Sequence, residues 1–223
     1  VTGGDFPKNY TLALGSISTR PIDMALFYAA LANGGYQITP QYIYKIENKY
    51  GEVIYEAKAK NKKIFDSKDV AILTQMLENA VNYGTGQSAK VFKNGQLIPM
   101  AGKTGTTSDY ISAWFTGYTP TLATVVYVGN DDNKSMGSGM TGGSAAAPLW
   151  KSYMQSVVDM DNYNVGVFEF IDDYIKRKDL IQKDIDLKIG LLDSDGVDKR
   201  TALFKAGTEP IEFENKFKNG IVF

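Results

Sequence analysis

Apolar positions along the chain fall into three helical patterns. Met24, Ala25, Leu26, Phe27, Tyr28, Ala29 and Leu31 are apolar nearly all round, which predicts a helix buried on every side. Pro21 suits its first turn, Thr19 is a candidate N-cap, and Asn33-Gly34-Gly35 supplies the C-cap. Val70, Leu73, Leu77 and Val81 then recur on one face, with Met76 and Ala80 beside them. Asp66 and Ser67 start this second helix and Gly84 stops it. A third helix opens at Pro148, where Trp150, Met154, Val157 and Val158 share a face that packs on a sheet.

Strand-like patterns lie between the helices. Residues 42–57 read as a hairpin turning at Asn48-Lys49-Tyr50-Gly51, followed by a solvated loop bearing Lys58, Lys60, Lys62 and Lys63. After a loop carrying Asn94-Gly95 come strands at 100–106, 113–118 and 122–128, whose short connections make them sequential and antiparallel. The third is an almost continuous apolar run, which predicts burial on both faces. Trp114 in the second reads as a core aromatic in preference to one that lines a binding cleft. Residues 137–143 read as a mobile glycine-rich loop. Residues 1–20 are polar apart from the run 12–17. From Asp159 the composition shifts, so 1–159 reads as the main domain and 160–223 as a tail wrapping it, partly ordered. Within the tail, 193–196 fits a plain turn better than a calcium loop, since the further spaced oxygens and closing glutamate are missing.

Composition narrows the chemistry. A net charge of -1 gives no electrostatic footprint for nucleic acid. The longest apolar run, 24–32, is far short of the roughly 18 residues that span a bilayer. No signal peptide is present, and a chain starting at Val1 is consistent with a cut from something longer. The chain has no cysteine and no histidine, which removes thiol nucleophiles, Ser-His-Asp triads and the common zinc sites. Any general base is a lysine, a carboxylate or a tyrosine, and that suits acyl transfer by serine and lysine.

The densest chemistry is Ala101-Gly102-Lys103-Thr104-Gly105-Thr106-Thr107, a cation, three hydroxyls and two glycines leading into an aromatic strand. A phosphate-binding loop ending in Gly-Lys-Thr needs a glycine where Leu97 stands and a helix afterwards, so that reading is poor. A glycine-bearing turn of no chemical interest is the plainer alternative. The third reading is a sheet edge that holds a carboxylate, with lysine and threonine as donors and glycine admitting a ligand backbone.

The wider pattern favours the last. Gly84-Thr85-Gly86, the run 101–107, Ala113-Trp114-Phe115-Thr116-Gly117-Tyr118, Val128-Gly129-Asn130-Asp131-Asp132, Gly142-Gly143-Ser144-Ala145-Ala146-Ala147-Pro148-Leu149-Trp150 and the Gly-Thr-Glu-Pro at 207–210 follow one another in order. Together they resemble the transpeptidase domain of class A penicillin-binding proteins. One departure is Ser112, where that family more often has an acidic residue.

The resemblance implies an α/β (α+β) transpeptidase fold, an antiparallel sheet packed by helices, here incomplete at its N-terminal side. It implies serine acyl transfer that cross-links peptidoglycan stem peptides and is blocked by β-lactam antibiotics, with no cofactor and no metal. Lys103 and Thr106 are then the catalytic candidates, and Lys103, Thr104, Gly105, Thr106 and Thr107 bind substrate. The backbone N–H of Thr106 is the candidate oxyanion donor.

The family also needs Ser-x-x-Lys and Ser-x-Asn, and none of the twelve serines has lysine three positions on or asparagine two positions on. Both motifs, with a membrane anchor, are expected upstream in the parent protein, at the extracytoplasmic face of the bacterial cell membrane. Two rivals remain: a non-catalytic module that binds cell-wall peptides, and a piece of a class B penicillin-binding protein or β-lactamase. Without a Ser-x-x-Lys, the 223-residue chain incubated with benzylpenicillin is expected to keep its unmodified intact mass. A covalent adduct would show that the nucleophile lies within it.

Overall fold

The computed structural model describes residues 10, 15, 17–58, 62–187, 190–192 and 199–211. Most of the run at 12–17 and the turn at 193–196 lie outside these. Helix α1, Pro21–Ala32, begins where Pro21 presets φ, but its N-cap position is Arg20 and no side chain caps it. Arg20 instead makes a bidentate ion pair with Asp23. The helix is buried only through Tyr28, Ala30 and Leu31, while Ile22 and Phe27 are more than 40% exposed. The expected all-round burial is thus corrected: neighbours cover only part of its surface. Gly34 and Gly35 end α1 at positive φ, and a Cβ on Gly35 would stand 2.6 Å from Phe65 O.

The hairpin forms from β1, Lys45–Glu47, and β2, Val53–Glu56, and every residue of both strands is exposed. Helix α2, Ser67–Asn82, is capped by the Asp66 side chain, which accepts from Lys68 N at 2.9 Å. Its buried stripe is Val70, Thr74, Leu77 and Val81, with Leu73 and Met76 turned outward. Thr74 takes the place foreseen for Leu73 because the buried Tyr118 hydroxyl needs a partner. The two oxygens are 2.8 Å apart. The Asn94-Gly95 loop is a tight hairpin turn, both residues at positive φ, joining β3, Phe92–Lys93, to β4, Gln96–Leu97.

The central sheet is β5, Ala101–Thr106, β6, Ser112–Tyr118, and β7, Ala123–Gly129, antiparallel and in that spatial order, as the sequence predicts. Ala101 faces Tyr118 and Thr106 faces Ala113 across the first pair. One sheet face carries Ala113 and Phe115 against Trp150, Met154 and Val158 of α3, Ala147–Val158. The other carries Ala101 and Tyr118 against Tyr28, Leu31, Val70, Leu77 and Phe168. Strand β7 is half-buried rather than enclosed, and Tyr127 is 43% exposed, because β7 forms an edge of the sheet. Trp114 is likewise no core residue. It lies half-buried on the face opposite Phe115, edge-on to Tyr127 with ring centroids 4.8 Å apart.

Beyond residue 159 the chain forms α4, Glu169–Lys176, and a hairpin of β8, Leu180–Asp186, with β9, Lys199–Lys205. Phe170, Ile171, Tyr174 and Ile175 of α4 pack on Ala71, Leu180 and Leu203, and Leu203 N donates to Gln75 Oε1 at 2.7 Å. The hairpin is thereby fastened to α2.

Burial on α2 pushes the Glu78 carboxyl up from its ordinary 4.5 to about 7. Below 4.5 the group is protonated in both states. Between 4.5 and 7 the unfolded chain has lost a proton that the fold retains, so stability falls across this window and levels off above it. Urea unfolding is expected to register a loss of roughly 3 kcal/mol from this group as pH rises through the window, and Glu78→Gln is expected to remove that slope.

Candidate functional site

Strand β5 pairs with β6 on one side only, and no described strand pairs with its other side. Thr107 N donates to Ser112 O at 3.1 Å, just past the strand ends. Because inward and outward residues alternate in an antiparallel ladder, Gly105 and Lys103 also bond inward. The N–H and C=O of Thr104 and Thr106 therefore face the free edge. Lys103 is exposed, and its ammonium lies on that same edge, donating to Thr104 O at 3.0 Å. This edge belongs to a strand, and it is open.

Two further segments close on β5. After α2 the chain turns through Gly84-Thr85-Gly86, where Gly86 N donates to Ala80 O at 3.0 Å and Thr85 Oγ1 lies 2.7 Å from Thr104 Oγ1. From the other direction comes a π-helical turn, Gly142–Ala146, leading into α3. Thr141 and Ser144 cap it reciprocally, each side chain accepting from the other's backbone N–H at 3.2 and 2.9 Å. The end of the 137–143 segment is thus tied down, where the sequence suggests a mobile loop. Gly142 N donates to Thr106 Oγ1 at 3.0 Å. A Cβ on Gly142 would press on Trp114 O and stand 2.7 Å from Gly105 O, so only glycine allows this approach.

The five candidates differ in what their side chains already do. Lys103, Thr104 and Thr106 present polar atoms at the edge, and Gly105 lies against the Trp114 side chain and the Gly142 backbone. Thr107 is engaged elsewhere: its hydroxyl accepts from Ser112 N at 2.8 Å and donates to Ser112 O at 3.3 Å, closing the β5–β6 turn. Asp109 and Tyr110 in that turn sit at φ of 60° and 55°, held by Ser135 Oγ on Asp109 O and Met136 N on Tyr110 O. Thr85 and Gly142 were not singled out as site residues from sequence. The signal for both was present as glycine-flanked positions, Gly-Thr-Gly and Gly-Gly-Ser, where backbone comes close to another segment. Two concavities, of about 490 and 510 Å³, lie away from this edge, one between α2 and β9 and one between the end of α1 and α4. Among the described residues no cluster of acidic side chains could hold a metal ion, and no helix is long and apolar enough to cross a membrane.

A family model described as the penicillin binding protein transpeptidase domain matches residues 6–155. The chain belongs to that family. Penicillin-binding protein 1A of Aquifex aeolicus is 36% identical over 68% of this chain, and that of Neisseria gonorrhoeae 34% identical over 68%. These alignments span 20% and 19% of the relatives, so the chain covers about a fifth of their length. Among solved structures, penicillin-binding protein 1A from Haemophilus influenzae aligns over 93% of this chain and 35% of its own, at 26% identity and a TM-score of 0.71. PonA1 from Mycobacterium tuberculosis in complex with penicillin V aligns over 74% of this chain and 45% of its own, at 28% identity and a TM-score of 0.60. The 93% match extends beyond the residues of the family model, so part of what α4, β8 and β9 add is shared with that penicillin-binding protein.

Gly142→Ala forces the π-helical turn away from β5. It is expected to lower stability by about 1–3 kcal/mol, measured by urea unfolding, and to speed hydrogen exchange at the Gly142 amide as its bond to Thr106 is lost.

Proposed function

We propose that this chain is the part of a peptidoglycan D,D-transpeptidase that holds the carboxylate end of a stem peptide and supplies one oxyanion donor. The observation that carries this reading is the free edge of β5, where the Lys103 ammonium and the Thr104 and Thr106 hydroxyls accompany outward-facing amides. A terminal D-alanine carboxylate on this edge gains a cation and two hydroxyl donors, and hydrogen bonds to a charged acceptor are the strong ones. The substrate backbone lies along β5 as an added strand, in the space that Gly105 leaves open.

The nucleophile comes from outside these 223 residues, from a segment with Ser-x-x-Lys and Ser-x-Asn. Its serine oxygen attacks the carbonyl before the terminal D-alanine, and the developing oxyanion is held by the Thr106 N–H and by the amide of the serine itself. The C–N bond then breaks, D-alanine leaves with a proton on its amine, and an amine from a neighbouring stem takes the acyl group. A β-lactam enters by the same route, its carboxylate on the same three groups, and remains as the acyl-enzyme. Such a protein works on the extracytoplasmic side of the cell membrane, where its substrate is. Relatives that are penicillin-binding proteins, one solved with penicillin V, support the reading.

In a transpeptidase domain that includes this chain and its serine-bearing segment, Lys103→Ala is expected to lower the rate of penicillin labelling by about ten- to a hundredfold, the range for losing a charged hydrogen-bond partner. Labelling at the unsubstituted rate would remove Lys103 from the proposed site.

A further inference from the structure

We propose that Thr85 is a positioning residue that aims the hydroxyl proton of Thr104 at a carboxylate on the β5 edge; the inference rests on the carboxylate-binding role given to Thr104 and Thr106 above. A carboxylate only accepts hydrogen bonds, and a threonine hydroxyl has one proton to give. A threonine therefore serves a carboxylate only when none of its other close partners takes that proton, and a partner that donates to it also fixes where the proton points. At Thr106 the backbone decides the matter. The Gly142 amide, 3.0 Å from Thr106 Oγ1, can only donate, so the Thr106 proton is left for a ligand.

At Thr104 the close partner is a second hydroxyl, Thr85 Oγ1 at 2.7 Å, and that bond can run in either direction. With Thr104 as donor, an arriving carboxylate would meet a lone pair. With Thr85 as donor, the Thr104 proton is free to point outward. The Lys103 ammonium, 3.5 Å from Thr104 Oγ1, also has nothing to offer but protons and leaves Thr104 as acceptor. A bound carboxylate thus selects the state in which Thr85 donates, and two hydroxyl protons and an ammonium then serve it together. Thr85 is held in reach by its flanks: Gly86 N is bonded back to Ala80 O, and a Cβ on Gly143 would stand 2.7 Å from Thr85 O. It acts through Thr104 and has no need to touch the ligand.

The test compares two ligands on the 223-residue chain, N-acetyl-D-Ala-D-Ala and its C-terminal carboxamide, with dissociation constants from amide-resonance titration. Thr85→Val removes the donor that fixes the direction of the Thr104 hydroxyl. It is expected to weaken the acid by about three- to tenfold, the range for one neutral hydrogen bond, and to leave the carboxamide unchanged, since an –NH₂ group can donate to Thr104 in whichever direction that hydroxyl turns. Thr85→Ser is expected to restore the acid to within about twofold, because it keeps the hydroxyl. Equal weakening of both ligands, or no weakening of the acid by Thr85→Val while Thr104→Val weakens it, overturns the role of Thr85 and leaves the carboxylate site standing. If Thr104→Val and Lys103→Ala leave acid binding unchanged, or the unsubstituted chain shows no saturable binding, the carboxylate site itself is overturned.

Discussion

The pairing register of β5 with β6 is the constraint on which the rest depends. A slip of one residue would turn every side chain of β5 to the opposite face of the sheet. Lys103 would then enter the space beside Phe115 that Gly102 occupies, where even a Cβ would stand 2.7 Å from the Phe115 ring. Gly117 fixes β6 in the same way, since a Cβ there would lie 2.8 Å from Trp150. Fully burying a large aromatic such as Trp150 is worth about 3–5 kcal/mol against alanine, so the packing that excludes the wrong register is also a main source of stability. The same alternation points the amides of Thr104 and Thr106 at the open edge. The core thus orients the site.

Helix α2 links stability to the site at both of its ends. Its first half packs on the β8–β9 hairpin through Ala71 and Gln75, and its middle meets the sheet through Thr74 on Tyr118. Its last turn is continued by Gly84-Thr85-Gly86, which brings Thr85 to Thr104. Displacing α2 would therefore move a hydroxyl at the β5 edge, although α2 itself contributes no side chain there. Glycine at 142 performs the corresponding task from the α3 side, because its amide must come within hydrogen-bond distance of Thr106.

The sheet and the three longer helices were legible because their periodicity is driven by burial, and their residue spans were read to within a few positions. The Lys-Thr-Gly-Thr edge was legible from composition and order. Four features were not. Burial of α1 and β7 depends on which neighbours cover them, and local pattern carries no information on that. Thr74 reads as a polar interruption until Tyr118 is seen opposite it. Helix α4 has only eight residues, so Phe170, Ile171, Tyr174 and Ile175 give barely two turns of period. Thr85 and Gly142 act through tertiary approach, 19 and 36 positions from Thr104 and Thr106. Glycine marks such approaches in a sequence without saying what approaches.

The direction of a hydrogen bond at the β5 edge is fixed wherever one of its partners can only donate. A backbone amide and an ammonium meet that condition at Thr106 and Thr104, and the Thr85–Thr104 pair is the only link among them free to run either way. The Glu78 carboxyl, which burial moves into the neutral range, lies on α2 and not among these groups. A change of pH between 4.5 and 7 therefore acts, through Glu78, on the helix that supports the site.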